Sequence, residues 1–161
     1  SAYPVAYFYS ATRQHCAAAP MAYFCTGGYT EAVLQQALAA NPRSGPVQHA
    51  IGLSLIRQKR TAEAISSLAQ AAASSPDTPR FSYVLAIAQH DTGKLVDALA
   101  TLKSALARHP YDRDILWALA TYEIEGKDYS SARQRAELLS ELEPGRADVI
   151  QLLASLKQQT R

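Results

Sequence analysis

The sequence predicts an all-α fold, a right-handed α-solenoid of helical hairpins that ends in a C-terminal capping helix. The first observation is a set of prolines that recur every 34 residues, namely Pro42, Pro76, Pro110 and Pro144. The second is a pair of adjacent columns with the same period, in which a large aliphatic residue precedes Gly or Ala. A period of about 34 residues is typical of a repeat built from two antiparallel helices, and such repeats stack into solenoids.

Both halves of the repeat carry the small residues that let two helices approach closely. In the first half, the aliphatic column holds Ile51, Leu85, Leu119 and Leu153, and the small column holds Gly52, Ala86, Ala120 and Ala154. In the second half, the aligned sets are Ala64, Ala98 and Ala132, then Leu68, Leu102 and Ala136, then Ala71, Ala105 and Leu139. Because small residues permit a close crossing while larger ones fill the space beside it, we expect these columns to form the core.

Apolar residues three and four positions apart predict helices at 46–58, 61–74, 79–92, 95–108, 113–125, 129–142 and 147–159. Asp112 and Asp128 stand where helix N-termini need capping groups, and Gly93 and Gly126 stand where paired helices need C-terminal caps. We expect His109 to contact the carbonyl end of its own helix. The last predicted helix has a polar outer face, which is typical of a solenoid cap.

Over residues 43–161 this pattern resembles the tetratricopeptide repeat family, in which a large apolar residue, Gly or Ala, further alanines and a terminal Pro recur in order. The chain departs from the family at two columns of the first helix, where the family often has Trp and Tyr. One column holds Gln48, Ser82, Leu116 and Ile150, and the other holds Leu55, Gln89, Glu123 and Lys157. The resemblance implies three repeats plus a capping helix at 43–161. The composition before them predicts an irregular, aromatic-rich segment and a degenerate hairpin at 1–42.

The first 30 residues have a different composition from the repeats. They contain both cysteines, the single methionine and five of the nine tyrosines. Residues 1–10 are interpreted as a packed aromatic arm, a remnant of processing, or sequence foreign to the natural protein. Cys16 and Cys25 are interpreted as free buried thiols, a disulfide of an oxidising compartment, or metal ligands. Two sulfurs and an adjacent imidazole are too few ligands for a closed zinc site, so the sequence predicts no metal and no cofactor.

Composition excludes several classes of function. A formal net charge of +2 with interspersed signs argues against nucleic acid as the principal partner, and no apolar run is long enough for direct membrane insertion. No nucleophile elbow, phosphate-binding loop or supported acid pair is present, so we expect no enzyme and no catalytic residues. The sequence is compatible with a soluble cytoplasmic protein and with a periplasmic or exported one.

The repeat geometry of the family implies a candidate peptide-binding groove, because the first helices of successive hairpins line the concave surface. Columns of those helices that avoid the core are rich in aromatic, aliphatic and basic side chains. The predicted groove residues are His49, Leu53, Arg57, Arg80, Tyr83, Ile87, His90, Trp117, Thr121 and Ile124. Trp, Tyr and Arg are frequent anchors of protein interfaces. The alternative is that Tyr83 and Trp117 fill space in the core between hairpins.

The sequence therefore predicts an interaction scaffold whose groove binds a peptide or a helix of a partner protein. The clustered Lys and Asn residues with which chaperone-binding family members clamp a terminal carboxylate are absent from the groove, which favours a ligand with apolar anchors. The alternative function is a structural module that forms a homo-oligomer through its aromatic N-terminal region or the end of the solenoid. Residues 79–123 also resemble C-terminal repeat tails of larger exported bacterial proteins.

Overall fold

The computed structural model describes residues 31–159, and the chain divides into two compact units, Ser1–Ser74 and Ser75–Arg161. The described helices of the first unit are α1 (Glu31–Ala40), α2 (Gly45–Arg57) and α3 (Thr61–Ser74). Those of the second unit are α4 (Pro79–Asp91), α5 (Leu95–Arg108), α6 (Arg113–Glu125), α7 (Tyr129–Leu142) and α8 (Ala147–Gln159). None of the described helices is long and apolar enough to cross a membrane.

The repeat prolines mark the ends of the second helices, as the sequence predicts. The helices α1, α3, α5 and α7 each end two residues before one of them, at Ala40, Ser74, Arg108 and Leu142. A residue before proline is pushed out of the helical region, so the helix ends there. The aromatic N-terminal region, Cys16 and Cys25 lie outside the described residues.

The capping predictions for the helix starts are confirmed at two aspartates. The Asp112 carboxylate accepts a hydrogen bond from the Ile115 amide at 2.9 Å, and Asp128 accepts one from the Ser131 amide at 3.1 Å. Each bond satisfies a backbone donor that the helix itself leaves unpaired. His109 contacts the carbonyl end of its own helix through its backbone amide, which donates to the Ala105 carbonyl oxygen at 2.9 Å. Its ring has a different partner, since Nε2 lies 3.1 Å from the carbonyl oxygen of Pro76 in the loop between α3 and α4.

In the first unit, α2 and α3 pack closely because Gly52 carries no side chain. A Cβ atom placed there would lie 2.6 Å from Cγ of Leu68, which is a fully buried residue of α3. Ala64 and Ala71 complete the buried face of α3. Gly52 therefore has the close-approach role that the sequence predicts for the small-residue column.

In the second unit, buried residues of α4, α5 and α6 form one apolar cluster, which includes Ala86, Ala98, Leu102, Ile115 and Leu119. A further cluster of Leu116, Leu139 and Val149 joins α6, α7 and α8. The core prediction does not extend to Ala154 of α8, which is exposed. In the described part of the chain, no second helix follows α8 to cover that side.

The turn between paired helices uses a left-handed residue at the same repeat position each time. Lys59, Gly93 and Lys127 have φ angles of 62°, 78° and 63°. Gly93 fulfils the predicted role of a glycine beyond a helix end. Gly126 caps α6 with a φ of −75°, and the following lysine adopts the left-handed conformation instead. The positive φ is therefore set by the position in the repeat, and at two of the three sites a lysine adopts it despite the steric strain on its Cβ atom.

We expect Lys127→Gly to raise the free energy of unfolding by about 0.5–1 kcal/mol, because glycine adopts a positive φ without a Cβ penalty. Chemical denaturation of the variant and the wild type measures this gain. The matched control is Lys94→Gly, since Lys94 is also exposed and adjoins a helix but has a φ of −97°. An equal gain in both variants would contradict a role for the left-handed conformation.

Candidate peptide-binding groove

The predicted groove residues lie on the first helices of the hairpins. In the first unit, α2 carries His49, Leu53 and Arg57. Only 8% of His49 is exposed, Leu53 is half-buried, and Arg57 is exposed at the end of the helix. His49 therefore presents little surface to a ligand in this structure, whereas Arg57 presents its guanidinium.

In the second unit, α4 carries Arg80, Tyr83, Ile87 and His90, all of which are half-buried. Tyr83 and Ile87 pack against the cluster formed by α4, α5 and α6. Their spacing of four residues places them on one side of the helix. Each side chain has one part in contact with the core and another part accessible from outside.

Trp117 of α6 is held between the core and a basic side chain. It packs against the cluster of Leu116, Leu139 and Val149, and the Arg146 guanidinium carbon lies 5.3 Å from the centre of its ring. Such a cation over an aromatic face is attracted by the ring quadrupole. The Trp117 ring is therefore fixed in place while remaining half-buried.

Arg146 is itself positioned by acidic neighbours at the start of α8. Its Nε and Nη2 atoms donate to the Asp148 carboxylate at 2.8 and 2.9 Å, and Nη1 donates to Glu143. The hydrogen bonds with Asp148 are the main reason that the pKa of Arg146 is raised above its usual value. The same hydrogen bonds hold the pKa of Asp148 below its usual value. This network sets the orientation of the guanidinium above Trp117.

His90 connects the first helices of two successive hairpins. Its Nε2 lies 2.6 Å from a carboxylate oxygen of Glu125 on α6, and its Nδ1 lies 3.8 Å from Asp91. Its ring stacks on Tyr122 with the centroids 4.2 Å apart and an interplanar angle of 6°. Burial is the main reason that the pKa of Tyr122 is raised. The contact brings the end of α4 against the end of α6 within the second unit.

The remaining predicted residues of α6 follow Trp117 on the same side of the helix. Thr121 is exposed, and its hydroxyl donates to the Trp117 carbonyl oxygen at 2.9 Å. Ile124 is half-buried and packs against the cluster of Ala132, Ala136 and Leu156. Trp117, Thr121 and Ile124 thus form a second stripe beside that of α4.

Three residues of this region were missing from the sequence prediction, namely Tyr122, Glu125 and Arg146. Glu125 lies 35 residues after His90, one period plus one residue, which is a spacing that could have indicated contact between successive first helices. Arg146 lies before the last helix, and no spacing related to the 34-residue period indicates that it stacks on Trp117. Within residues 31–159, no group of three His, Cys, Asp or Glu side chains could hold a metal ion.

Comparison with known proteins identifies the fold. Two family models, each described as tetratricopeptide repeat, match residues 49–113 and 89–156. No curated protein sequence matches the chain.

Solved structures of several repeat proteins are similar in fold. The first tetratricopeptide domain of Spaghetti (RPAP3) is 19% identical with a TM-score of 0.65, and the alignment covers 73% of this chain and 95% of that one. MamA AMB-1 is 18% identical with a TM-score of 0.71, covering 86% and 83%. MamA from Desulfovibrio magneticus RS-1 is 14% identical with a TM-score of 0.68, covering 96% and 85%.

These matches and the helical hairpins confirm the all-α solenoid class predicted from the sequence. The groove assignment is not tested by them and stays a prediction. The protein belongs to the tetratricopeptide repeat family.

Proposed function

We propose that this protein is an interaction scaffold that binds a peptide or a helix of a partner protein on the first helices of its hairpins. The observation that carries the proposal is the pair of neighbouring stripes on α4 and α6. Their aromatic and aliphatic side chains, Tyr83, Ile87, Trp117 and Ile124, are anchored in the core but only half-buried. Side chains of this kind offer apolar area to a ligand.

The stripes are held in place before any ligand arrives. Arg146 orients the Trp117 ring, and the stacking of His90 on Tyr122 joins α4 to α6. A ligand that docks on fixed side chains loses less affinity to their ordering, so rigid anchors support binding. Binding by apolar side chains on a rigid scaffold requires no reacting group, and we propose no catalytic activity.

The chemistry of the stripes favours apolar anchors on the ligand. One structure of similar fold, the first tetratricopeptide domain of Spaghetti (RPAP3), is bound to the HSP90 peptide SRMEEVD. In the second unit of this protein, Arg80 is the arginine among the predicted groove positions, and the His90 Nε2 lies 2.6 Å from Glu125. Arg146, beside Trp117, is held by Asp148 and Glu143. A ligand is therefore gripped by its apolar side chains, with Arg80 as an additional contact at the edge.

We expect Trp117→Ala to weaken partner binding by at least about 2 kcal/mol, as truncation of an interface anchor does. The partner is captured from the native host and identified by mass spectrometry, and the binding segment is then titrated as a synthetic peptide by calorimetry. Tyr111→Ala is the matched control, because Tyr111 is an aromatic residue that is 67% exposed and lies outside the predicted groove.

The proposal is contradicted if folded Trp117→Ala protein binds the peptide as tightly as the wild type. Concentration-dependent mass in solution tests the alternative function, a homo-oligomeric module. A dimer whose formation is unaffected by Trp117→Ala and which captures no other protein would favour that alternative.

A further inference from the structure

His90 of the second unit has one ring nitrogen that lacks a hydrogen-bond partner. Its Nε2 lies 2.6 Å from the Glu125 carboxylate, and because an ionised carboxylate only accepts hydrogen bonds, Nε2 carries the proton there. Its Nδ1 is buried, makes no hydrogen bond within the described structure, and lies 3.8 Å from a carboxylate oxygen of Asp91. In the neutral ring, Nδ1 is therefore an acceptor that faces another acceptor.

One added proton would resolve this mismatch, because a proton between Nδ1 and Asp91 supplies the missing donor. The positive charge also makes the contact between Nε2 and Glu125 a charge-assisted one. It strengthens the stacking on Tyr122, whose ring centroid lies 4.2 Å away, because the face of a phenol ring attracts cations. Since Glu125 and Tyr122 belong to α6, these two gains tie the end of α4 to the end of α6.

The ionisable groups around His90 come from α4 and α6. Asp91 and Tyr83 belong to α4, Glu125 and Tyr122 belong to α6, and Tyr83 interacts with Tyr122. Burial is the main reason that the pKa of Tyr122 is raised, so its phenol stays neutral. In the described part of the chain, the charged groups that face the imidazole are therefore the two carboxylates.

The lysines near these helix ends are not paired with the two carboxylates. Lys94 and Lys127 stand in the turns that follow α4 and α6, and within residues 31–159 neither forms an ion pair. The helix α5 packs against α4, but its Lys103 lies near Glu123 instead. The imidazole is thus the group that the two carboxylates share.

The carboxyl group of Asp91 holds a proton more readily in the folded protein than in the unfolded chain, because burial raises its pKa. A group with a raised pKa contributes stability in acid, and this contribution is lost as the pH rises through the folded value. Asp91 and His90 interact directly, so they take up the proton as a pair. Histidine ordinarily changes charge near pH 6.5, so the relevant range is about pH 5.5–8.

We propose that His90 and Asp91 form a proton-operated clasp, which ties α4 to α6 when it is protonated and loosens when the proton is lost. Its effect on the groove, which rests on the proposed function, follows from the neighbouring side chains. Ile87 stands one turn before His90, and Ile124 adjoins Glu125, so a loosened clasp leaves the apolar stripes less ordered. The scaffold therefore binds its partner more tightly at about pH 6 than at about pH 8.

The test is urea unfolding of the full chain from about pH 5.5 to about pH 8, in the wild type and in His90→Gln. Glutamine keeps a donor for Glu125 but takes up no proton. Over this range we expect the unfolding equilibrium constant of the wild type to rise about three- to tenfold more than that of His90→Gln. His109→Gln is the matched control and should keep the wild-type profile, because the His109 ring contacts the Pro76 carbonyl oxygen at 3.1 Å and has no carboxylate partner among the described residues.

Nitrogen NMR of the His90 ring locates the proton. We expect Nε2 to stay protonated over the whole range and Nδ1 to gain a proton as the pH falls. Asp91→Asn should flatten the unfolding profile to that of His90→Gln, because a side-chain amide donates to Nδ1 at every pH. A ring that is protonated at Nδ1 and bare at Nε2 at about pH 8 would overturn the clasp. Equal profiles of the wild type and His90→Gln, or a wild-type profile in Asp91→Asn, would overturn it too.

These measurements need no partner, so they separate the clasp from the proposed function. If the unfolding profiles and ring protons behave as expected but folded Trp117→Ala binds the partner peptide like the wild type, the clasp stands and the groove assignment fails. If Trp117→Ala weakens binding while the wild type and His90→Gln have equal pH profiles, the groove assignment stands and the clasp fails.

Discussion

Leu119→Ala is expected to lower the free energy of unfolding by about 2–5 kcal/mol, because it leaves a cavity in a core that cannot fully collapse. Leu119 is fully buried in the cluster that joins α4, α5 and α6. Urea denaturation followed by circular dichroism measures the loss. Thr121→Ala is the control on the same helix, since Thr121 is exposed and its hydroxyl bonds only to the backbone of α6. A Leu119→Ala variant as stable as Thr121→Ala would contradict the core assignment.

The same assay decides between the two interpretations of Trp117. If Trp117 is an anchor of the groove, Trp117→Ala should lower the free energy of unfolding by less than the roughly 3–5 kcal/mol that is lost when a fully buried aromatic side chain is truncated. If Trp117→Ala destabilises the protein as much as Leu119→Ala and still binds the partner peptide normally, Trp117 belongs to the core. Stability and binding must therefore be measured on the same preparation.

Ala98→Leu is expected to destabilise the protein by about 1–3 kcal/mol, because it forces a large side chain into a close helix crossing. Ala98 is fully buried, in the cluster with Ala86 and Leu102. Ala100→Leu is the matched control, since Ala100 lies on the same helix but is exposed. Both variants make the same Ala→Leu change within α5, so the change in helix propensity is the same and the difference between their unfolding midpoints reports packing. Equal unfolding midpoints would contradict the assignment of Ala98 to the crossing between α4 and α5.

The helices and the buried columns could be predicted from the sequence because burial repeats with the period of the hairpin. Leu119 and Ala98 occupy positions whose equivalents in other repeats have the same size and polarity. Periodicity reports which side of a helix is covered, and the second helices end where proline requires. Ala154 has the residue type of its column but is exposed, because in the described part of the chain no helix covers it.

Apart from the spacing of His90 and Glu125, the sequence gives no signal for the side-chain network of the candidate groove, because the network depends on contacts that do not repeat. Among residues 31–159, the stacking of His90 on Tyr122 and of Arg146 on Trp117 each occurs in one hairpin, so there is no second example to align. The left-handed lysines were missed for a different reason. Lysine has no preference for a positive φ, so only the backbone shows that Lys59 and Lys127 take the position of Gly93.

The equal lengths of the hairpin elements allow the protein to change size in whole units. The first helices α2, α4 and α6 each have 13 residues, and the second helices α3, α5 and α7 each have 14. A duplication of the segment from Asp77 to Pro110 would therefore have its two boundaries in equivalent loops, each directly after a repeat proline. Gene duplication at this boundary would add one whole hairpin to the array and place the new Pro110–Asp77 junction in a loop between helices.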